Sequence, residues 1–400
     1  MPFPIALSGL NAASADLGVI ANNVANVNTT GFKGSRAEFA EVFAVGAQSA
    51  GSGVRLAAVS QQFTQGNIDF TENALDLAIA GEGFFVLSNG GTRTYTRAGA
   101  FGVDRDGYVV NAQGHRLQAY PAVGNGLFNT SAPGDLQLGV GASPPRATST
   151  ATLGVNLPAT AEVPATGTFD PADPTSFNHT TSITIYDSLG VAHTATIYFI
   201  KQAAANTWDT AVEIDGNPVT GSGPIVFNPD GTLQSPAGGL MALDAFPPGT
   251  GADDIGLTLD LGSITQFGQA FGVNSLSQDG YTTGRLTGVS VDTEGVVFAR
   301  FTNGQSTALG KVALATFANP QGLRQAGDTA WSESSQSGDA LLGEAGTASF
   351  GNVQSGALES SNVDLTAQLV KMITAQRNFQ ANAQVISTAD AVTQTVINIR

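Results

Sequence analysis

PFPIALSGLNAASADLGVIANNVANVN, residues 2–28, carries a single charged side chain, Asp16, and sets Phe3, Leu7, Leu10, Leu17, Ala21 and Val24 at spacings of three, four and seven. That spacing draws one stripe along an α-helix. A helix of about 25 residues is roughly 37 Å long at 1.5 Å per residue. Small residues fill the rest, so the helix has a narrow apolar seam, almost no charge to solvate its back, and a need for a partner. The far end of the chain supplies one. Ser361 and Asp364 form an S-x-x-D start signal, and Leu365, Leu369, Met372, Phe379, Ala383 and Ile386 continue the three-four spacing with no glycine or proline after Ser361. A second stripe through Val370, Ile373, Val385, Val392, Val396 and Ile399 makes this helix apolar on more than one face, as contact with several neighbours requires. Spacing alone leaves open whether the seam closes within one chain or between copies.

Between the two ends the period changes from helical to two. ITIYDSLGVAHTATIYF, residues 183–199, alternates on either side of a turn at Asp187–Gly190. Asp106-Gly107, Asp230-Gly231 and Glu294-Gly295 each precede a β-branched or aromatic run and suit hairpin turns. With 49 glycines and 17 prolines in 400 residues, the expected fold is mainly β with α-helical termini, in two or three domains. Charge marks the boundaries. Residues 145–284 hold 13 acids against Arg146 and Lys201, net −11 of the total −16. Pro144-Pro145 opens this block and a proline- and threonine-rich stretch runs from 158 to 174, as in a domain inserted into a loop of another. The expected organisation is nested. Residues 1–30 plus 358–400 make an inner, coiled-coil-like helical domain, 31–70 a packed connector, 71–144 plus 285–357 a middle β domain, and 145–284 an outer acidic β domain.

Chemistry is hard to find in this chain. There is no cysteine, hence no disulfide, thiolate metal site or cysteine nucleophile. His115, His179 and His193 are scattered and fit no ligand spacing, so they read as surface or turn residues. Asp104-Arg105-Asp106-Gly107 opens like a calcium loop but lacks the later carboxylates. Gly51-Ser52-Gly53 and Gly81-Glu82-Gly83 complete no phosphate or dinucleotide fingerprint. No catalytic, cofactor-binding or metal site is expected. Asn129-Thr130-Ser131 and Asn178-His179-Thr180 match a short glycosylation pattern that recurs by chance. The acidic balance disfavours nucleic acid as a partner. No uninterrupted apolar run reaches bilayer length, and the N-terminus lacks a basic segment followed by a long apolar one. Neither membrane insertion nor a cleaved signal is expected. The asparagines of NNVANVN at 22–28 are denser than one helix stop requires.

ANNVANVNTTGFKG at 21–34, with SGLNAAS at 8–14 before it, closely resembles the N-terminal signature of the bacterial flagellar rod and hook proteins. The resemblance continues through LDLAIAGEGFFV at 75–86, YTRAGAF at 95–101 and GALESSNVDLTAQLVKMITAQRNFQANAQVISTAD at 356–390. The middle is similar to the hook branch of that family, in IYDSLG at 185–190, IYF at 197–199, Trp208, FNPDGTL at 227–233, the run 271–297, NGQ at 303–305 and FANPQGL at 317–323. A distal rod protein is the nearest alternative; a secreted β-rich enzyme or carbohydrate-binding protein is a remote one. The resemblance implies an axial structural protein of the flagellum, exported without a cleaved signal and extracellular in the hook. It also implies a homopolymer that bends as a universal joint and passes torque from rod to filament. The implied partners are further copies of the chain, the rod, the hook cap, the hook-filament junction protein and the export apparatus. The residues expected at its polymerisation interfaces are Leu7, Leu10, Leu17, Asn22, Asn23, Val24, Asn26, Phe32, Leu365, Leu369, Met372, Phe379 and Ile386.

Overall fold

The computed structural model describes residues 2–43, 51–124, 126–139, 141–221, 223–347 and 349–398. Helix α1 spans Pro2–Ala25 and helix α2 spans Leu365–Asn398. Asp364 is the N-cap of α2: its Oδ1 accepts from Ala367 N at 3.1 Å and its carbonyl from Gln368 N at 3.0 Å. Ser361 stands outside the helix, where its Oγ accepts from Val363 N. The two helices run antiparallel, since Phe3 lies beside Val392, Gly9 beside Asn382, and Asp16 within electrostatic reach of Lys371. Burial against α2 pushes the Asp16 carboxyl up, and Lys371 pulls it partly back.

The seam differs from the expected stripe by one position. α1 buries Ala6, Ala13 and Ile20, spaced by seven, while Leu10, Leu17 and Val24 are half-buried beside them. Small side chains let the helices approach closely: a Cβ built on Gly9 would stand 2.5 Å from Asn382 Oδ1. Hydrophobicity ranks Leu above Ala, whereas a close approach selects Ala.

Two compact units make up the body. The first comprises 1–140, 288–300 and 306–400. Its sheet is organised around the long strand Ser306–Thr316, which pairs antiparallel with Val296–Phe301, Arg116–Gly124, Phe84–Asn89 and Leu341–Glu344. Strand Phe84–Asn89 is apolar on both faces: Phe85 and Leu87 pack with Leu117, Val312 and Leu314, while Phe84 and Val86 pack with Tyr95, Phe317 and Trp331. Two short antiparallel pairings, Ile68–Phe70 with Ala357–Glu359 and Leu77–Ala80 with Asn352–Ser355, join early chain to late chain. In the 31–70 connector Ser35–Glu41 pairs antiparallel with Val54–Gln61 as a β-hairpin, and residues 44–50 lie outside the described residues.

The second unit comprises 141–287 and 301–305. A six-stranded sheet, led by His179–Tyr186, Ala192–Lys201 and Thr207–Ile214, packs on a five-stranded sheet built around Thr150–Pro158. Leu153, Val155 and Leu157 from the latter meet Ile185, Ile197, Phe199 and Trp208 from the former. The turn at Asp187–Gly190 forms as read, with Gly190 N donating to Asp187 O at 3.0 Å. Ser143 and Gly284 pair backbone to backbone, so this unit leaves and rejoins the chain at neighbouring points.

Candidate assembly surface and the clamp beside it

Pairing of the helices does not use up their apolar surface. Phe3, Ile5 and Leu7 on α1, and Leu365, Leu369, Val370, Ile373, Val385, Val392 and Ile397 on α2, stay exposed, Val370 at 59% and Ile397 at 66%. Ile399 of that stripe lies outside the described residues. Met372, Phe379 and Ile386 are half-buried on the side of α2 that carries the buried Ala375. Phe3 and α2 residues Val385, Ala389 and Val392 border an apolar groove of about 470 Å³. By length and mean composition alone Phe3–Ala25 is long and apolar enough to cross a bilayer, although polar residues interrupt its apolar run. In the folded chain this helix packs on α2 and on the connector hairpin, where Val54 N donates to Ser8 Oγ.

The asparagines of the N-terminal signature divide. Asn22 is exposed and Asn26 half-buried, Nδ2 of Asn26 donating to Asn22 O at 3.0 Å. Asn23, expected at an interface, is engaged inside the chain instead: its Oδ1 accepts from Ser35 N at 2.8 Å and its Nδ2 donates to Ser35 O at 2.7 Å. One amide thereby imitates a strand neighbour for the start of the hairpin. Phe32 is half-buried and lines a polar cleft with Asn22, Asn26 and Trp331.

Next to Phe32, Lys33 enters a site the sequence reading missed. Its ammonium, fully buried, donates to Glu359 Oε1 at 2.6 Å and to Thr64 O at 2.7 Å. Arg97 reaches Glu359 Oε2 at 3.3 Å through Nη1 and Gly81 O at 2.8 Å through Nη2. Gly66 N also donates to Glu359 Oε1, at 2.8 Å. Asn362 adds a second tie, accepting from Gly34 N at 2.8 Å and donating to Gln62 O at 2.6 Å. Burial pulls the Lys33 ammonium below its ordinary range, with Glu359 opposing. The available signal was a lone charge in each of three nearly uncharged strings: Lys33 in TTGFKG, Arg97 in YTRAGAF and Glu359 in GALESSN.

In the second unit His193 is buried, which corrects the reading of a surface histidine. Its Nδ1 lies 2.6 Å from Asp215 Oδ2 and its Nε2 3.4 Å from Asp187 Oδ2, and the Thr250 hydroxyl donates to the same Asp187 oxygen at 2.7 Å. Burial draws the imidazolium down, but the two carboxylates outweigh it and its pKa is raised. Burial likewise pushes Asp187 up, and donors from Thr250, Val191, His193 and Leu189 overcome it, so that carboxyl ends below its ordinary value. His179 stacks on Phe271 with ring centroids 4.4 Å apart. These contacts pin three loops of a β sandwich.

Known proteins carry the same arrangement of segments. Residues 3–33 match the family model described as flagella basal body rod protein, and 354–399 the flagellar basal body rod FlgEFG protein C-terminal model. Residues 78–185 match the flagellar hook protein FlgE/F/G D1 domain, and 156–281 the flagellar basal body protein FlaE D2 domain. The flagellar hook protein FlgE of Salmonella typhimurium is 38% identical over 417 residues, covering 100% of both chains. That of Treponema pallidum is 34% identical over 455 residues, covering 98% of each. The crystal structure of Helicobacter pylori flagellar hook protein FlgE2 covers 73% of this chain and 100% of its own, with a TM-score of 0.53 at 15% identity, a likeness of fold. The chain belongs to the FlgE family of flagellar hook proteins.

Proposed function

We propose that this protein is the structural subunit of a bacterial flagellar hook, polymerising into a flexible tube that acts as a universal joint between rod and filament. One structural observation carries the physical side of this reading: the apolar ribbons on α1 and α2 remain exposed after the helices have paired with each other. Burying such surface against further copies at about 25 cal/mol per Å² supplies a driving force for assembly. The residues offered to neighbours are Leu7, Leu365 and Leu369, with Leu10, Leu17, Val24, Met372, Phe379 and Ile386 at the margins of the intramolecular seam. The inner helices keep the tube continuous, and the outer acidic β unit presents a weakly adhesive surface suited to contacts that slide during bending.

The match of residues 156–281 to the FlaE D2 domain model supports a hook subunit over a rod subunit. Partners beyond further copies, namely rod, hook cap, hook-filament junction protein and export apparatus, follow from the family, as does an extracellular position reached by export without a cleaved signal. The role is structural rather than enzymatic. Negative-stain electron microscopy of purified full-length protein, concentrated and seeded, tests the reading. Curved or helical tubes are expected; straight rigid rods would favour the rod alternative, and a chain that stays monomeric at every concentration would refute both.

A further inference from the structure

We propose that Glu359, held between Lys33 and Arg97, is the positioning residue that ties the roots of the two terminal helices to the folded β body, so that the chain becomes competent to assemble only when both roots have docked on the sheet. This rests on the hook reading above and adds a device to it.

The three charged residues come from three pieces of chain. Lys33 follows the end of α1, Glu359 ends the strand Ala357–Glu359 just ahead of the α2 cap Asp364, and Arg97 directly follows the sheet strand Thr92–Thr96. Glu359 grips the N-terminal signature twice, through its carboxylate on Lys33 Nζ and through its carbonyl, which accepts from Gly31 N at 2.7 Å. The site holds two cations and one anion, with Lys33 and Glu359 at 0% and Arg97 at 3% side-chain exposure. Glu82 is the other acid that acts on Lys33. Without Glu359, Lys33 and Arg97 would be buried with no carboxylate between them, which is strongly unfavourable. Closure is therefore conditional: the N-terminal segment cannot settle on the sheet until the C-terminal segment brings its carboxylate. Tight backbone approaches exclude a looser version, since a Cβ on Gly66 would lie 2.0 Å from Ser360 O.

The coupling is tested with full-length protein and fragments of wild-type polymer as seeds, reading elongation by electron microscopy. Glu359→Gln keeps the shape and removes the charge, and elongation should fall roughly tenfold or more. Lys33→Met combined with Glu359→Gln leaves one buried cation, Arg97, in place of two and should recover part of the loss, while Lys33→Met alone, which leaves Glu359 paired with Arg97, should stay within about threefold of wild type. A side chain that merely packs would leave the double variant no better than Glu359→Gln. Amide exchange on Phe84–Asn89 and Ala192–Lys201 monitors the folding of each unit in parallel. The proposal is overturned if Glu359→Gln elongates like wild type, if the double variant does no better than Glu359→Gln, or if the Phe84–Asn89 strand of Glu359→Gln loses protection. Wild-type protein that forms no polymer would remove the hook reading and this coupling with it.

Discussion

Gly31 offers a sharp test of how the N-terminal signature is built. It adopts φ +68°, and a Cβ there would sit 2.4 Å from Ala98 N and 2.7 Å from Arg97 C, both backbone atoms. Left-handed backbone costs a non-glycine residue about 1–2 kcal/mol, and forcing a methyl into a filled site adds about 1–3 kcal/mol. Gly31→Ala should therefore destabilise the first unit by about 3 kcal/mol, or roughly 6–12 °C at 2–4 °C per kcal/mol. Two further glycines separate the contributions. Gly90 shares the backbone, at φ +57°, but has nothing within 4 Å of its Cβ position, so Gly90→Ala reports the left-handed cost alone. Gly18 lies inside α1 with nothing within 4 Å, and Gly18→Ala should stabilise that helix by about 0.5–1 kcal/mol. Amide exchange in increasing urea, followed on the peptide covering Phe84–Asn89, reads the first unit, while Ala192–Lys201 in the second should not move. The reasoning fails if Gly31→Ala costs no more than Gly90→Ala.

The second unit should have a stability optimum in pH set by its buried histidine. The folded pKa of His193 is raised above its ordinary 6.5, so its contribution is fully present below 6.5 and is lost as pH rises through the folded value. Asp187 and Asp215 are depressed below 3.8, so theirs is present above 3.8 and is lost as pH falls through their folded values. Urea midpoints of His193→Gln should lose the high-pH slope, and an unchanged slope would contradict the assignment. Val370→Asp and Ile373→Asp, on exposed faces of α2, should abolish polymer seen in pelleting assays while moving monomer stability by less than about 0.5 kcal/mol; normal polymer would move the interface elsewhere. Deleting 145–284 and joining Pro144 to Arg285, next to the point where Ser143 and Gly284 pair, should spare assembly and change curvature or stiffness in electron micrographs, and loss of all polymer would count against that division of labour. Soluble monomer should exchange amides at 4–28 and 362–398 rapidly before assembly, because the helices' exposed apolar faces lack their neighbours; strong protection there would refute coupled ordering.

The 13 residues expected at interfaces combine helix-spaced apolar side chains with asparagines and Phe32 of the N-terminal signature, and the fold distributes them by geometry. Leu7, Leu365 and Leu369 face outward, the half-buried Leu10, Leu17 and Val24 flank a seam made by Ala6, Ala13 and Ile20, and Asn23 turns inward to Ser35. Hydrophobic periodicity detects that a helix has a buried side, but the choice between neighbouring stripes depends on how closely the partner helix approaches, and that distance is set by residues hundreds of positions away.

Two helices at the ends, alternating strands between them, and glycine turns at Gly107, Gly231 and Gly295, with φ of 83, 85 and 78°, were all legible in the chain itself. These features follow from local rules, because helical and strand periods and left-handed glycine turns depend on residues close in sequence. What only the tertiary structure decided was which isolated charges meet. Lys33, Arg97 and Glu359 look alike in sequence to any surface charge, and His193 to any turn histidine, until folding removes water from around them. Desolvation and pairing are properties of the assembled interior, and no local pattern encodes a contact between residues 33 and 359.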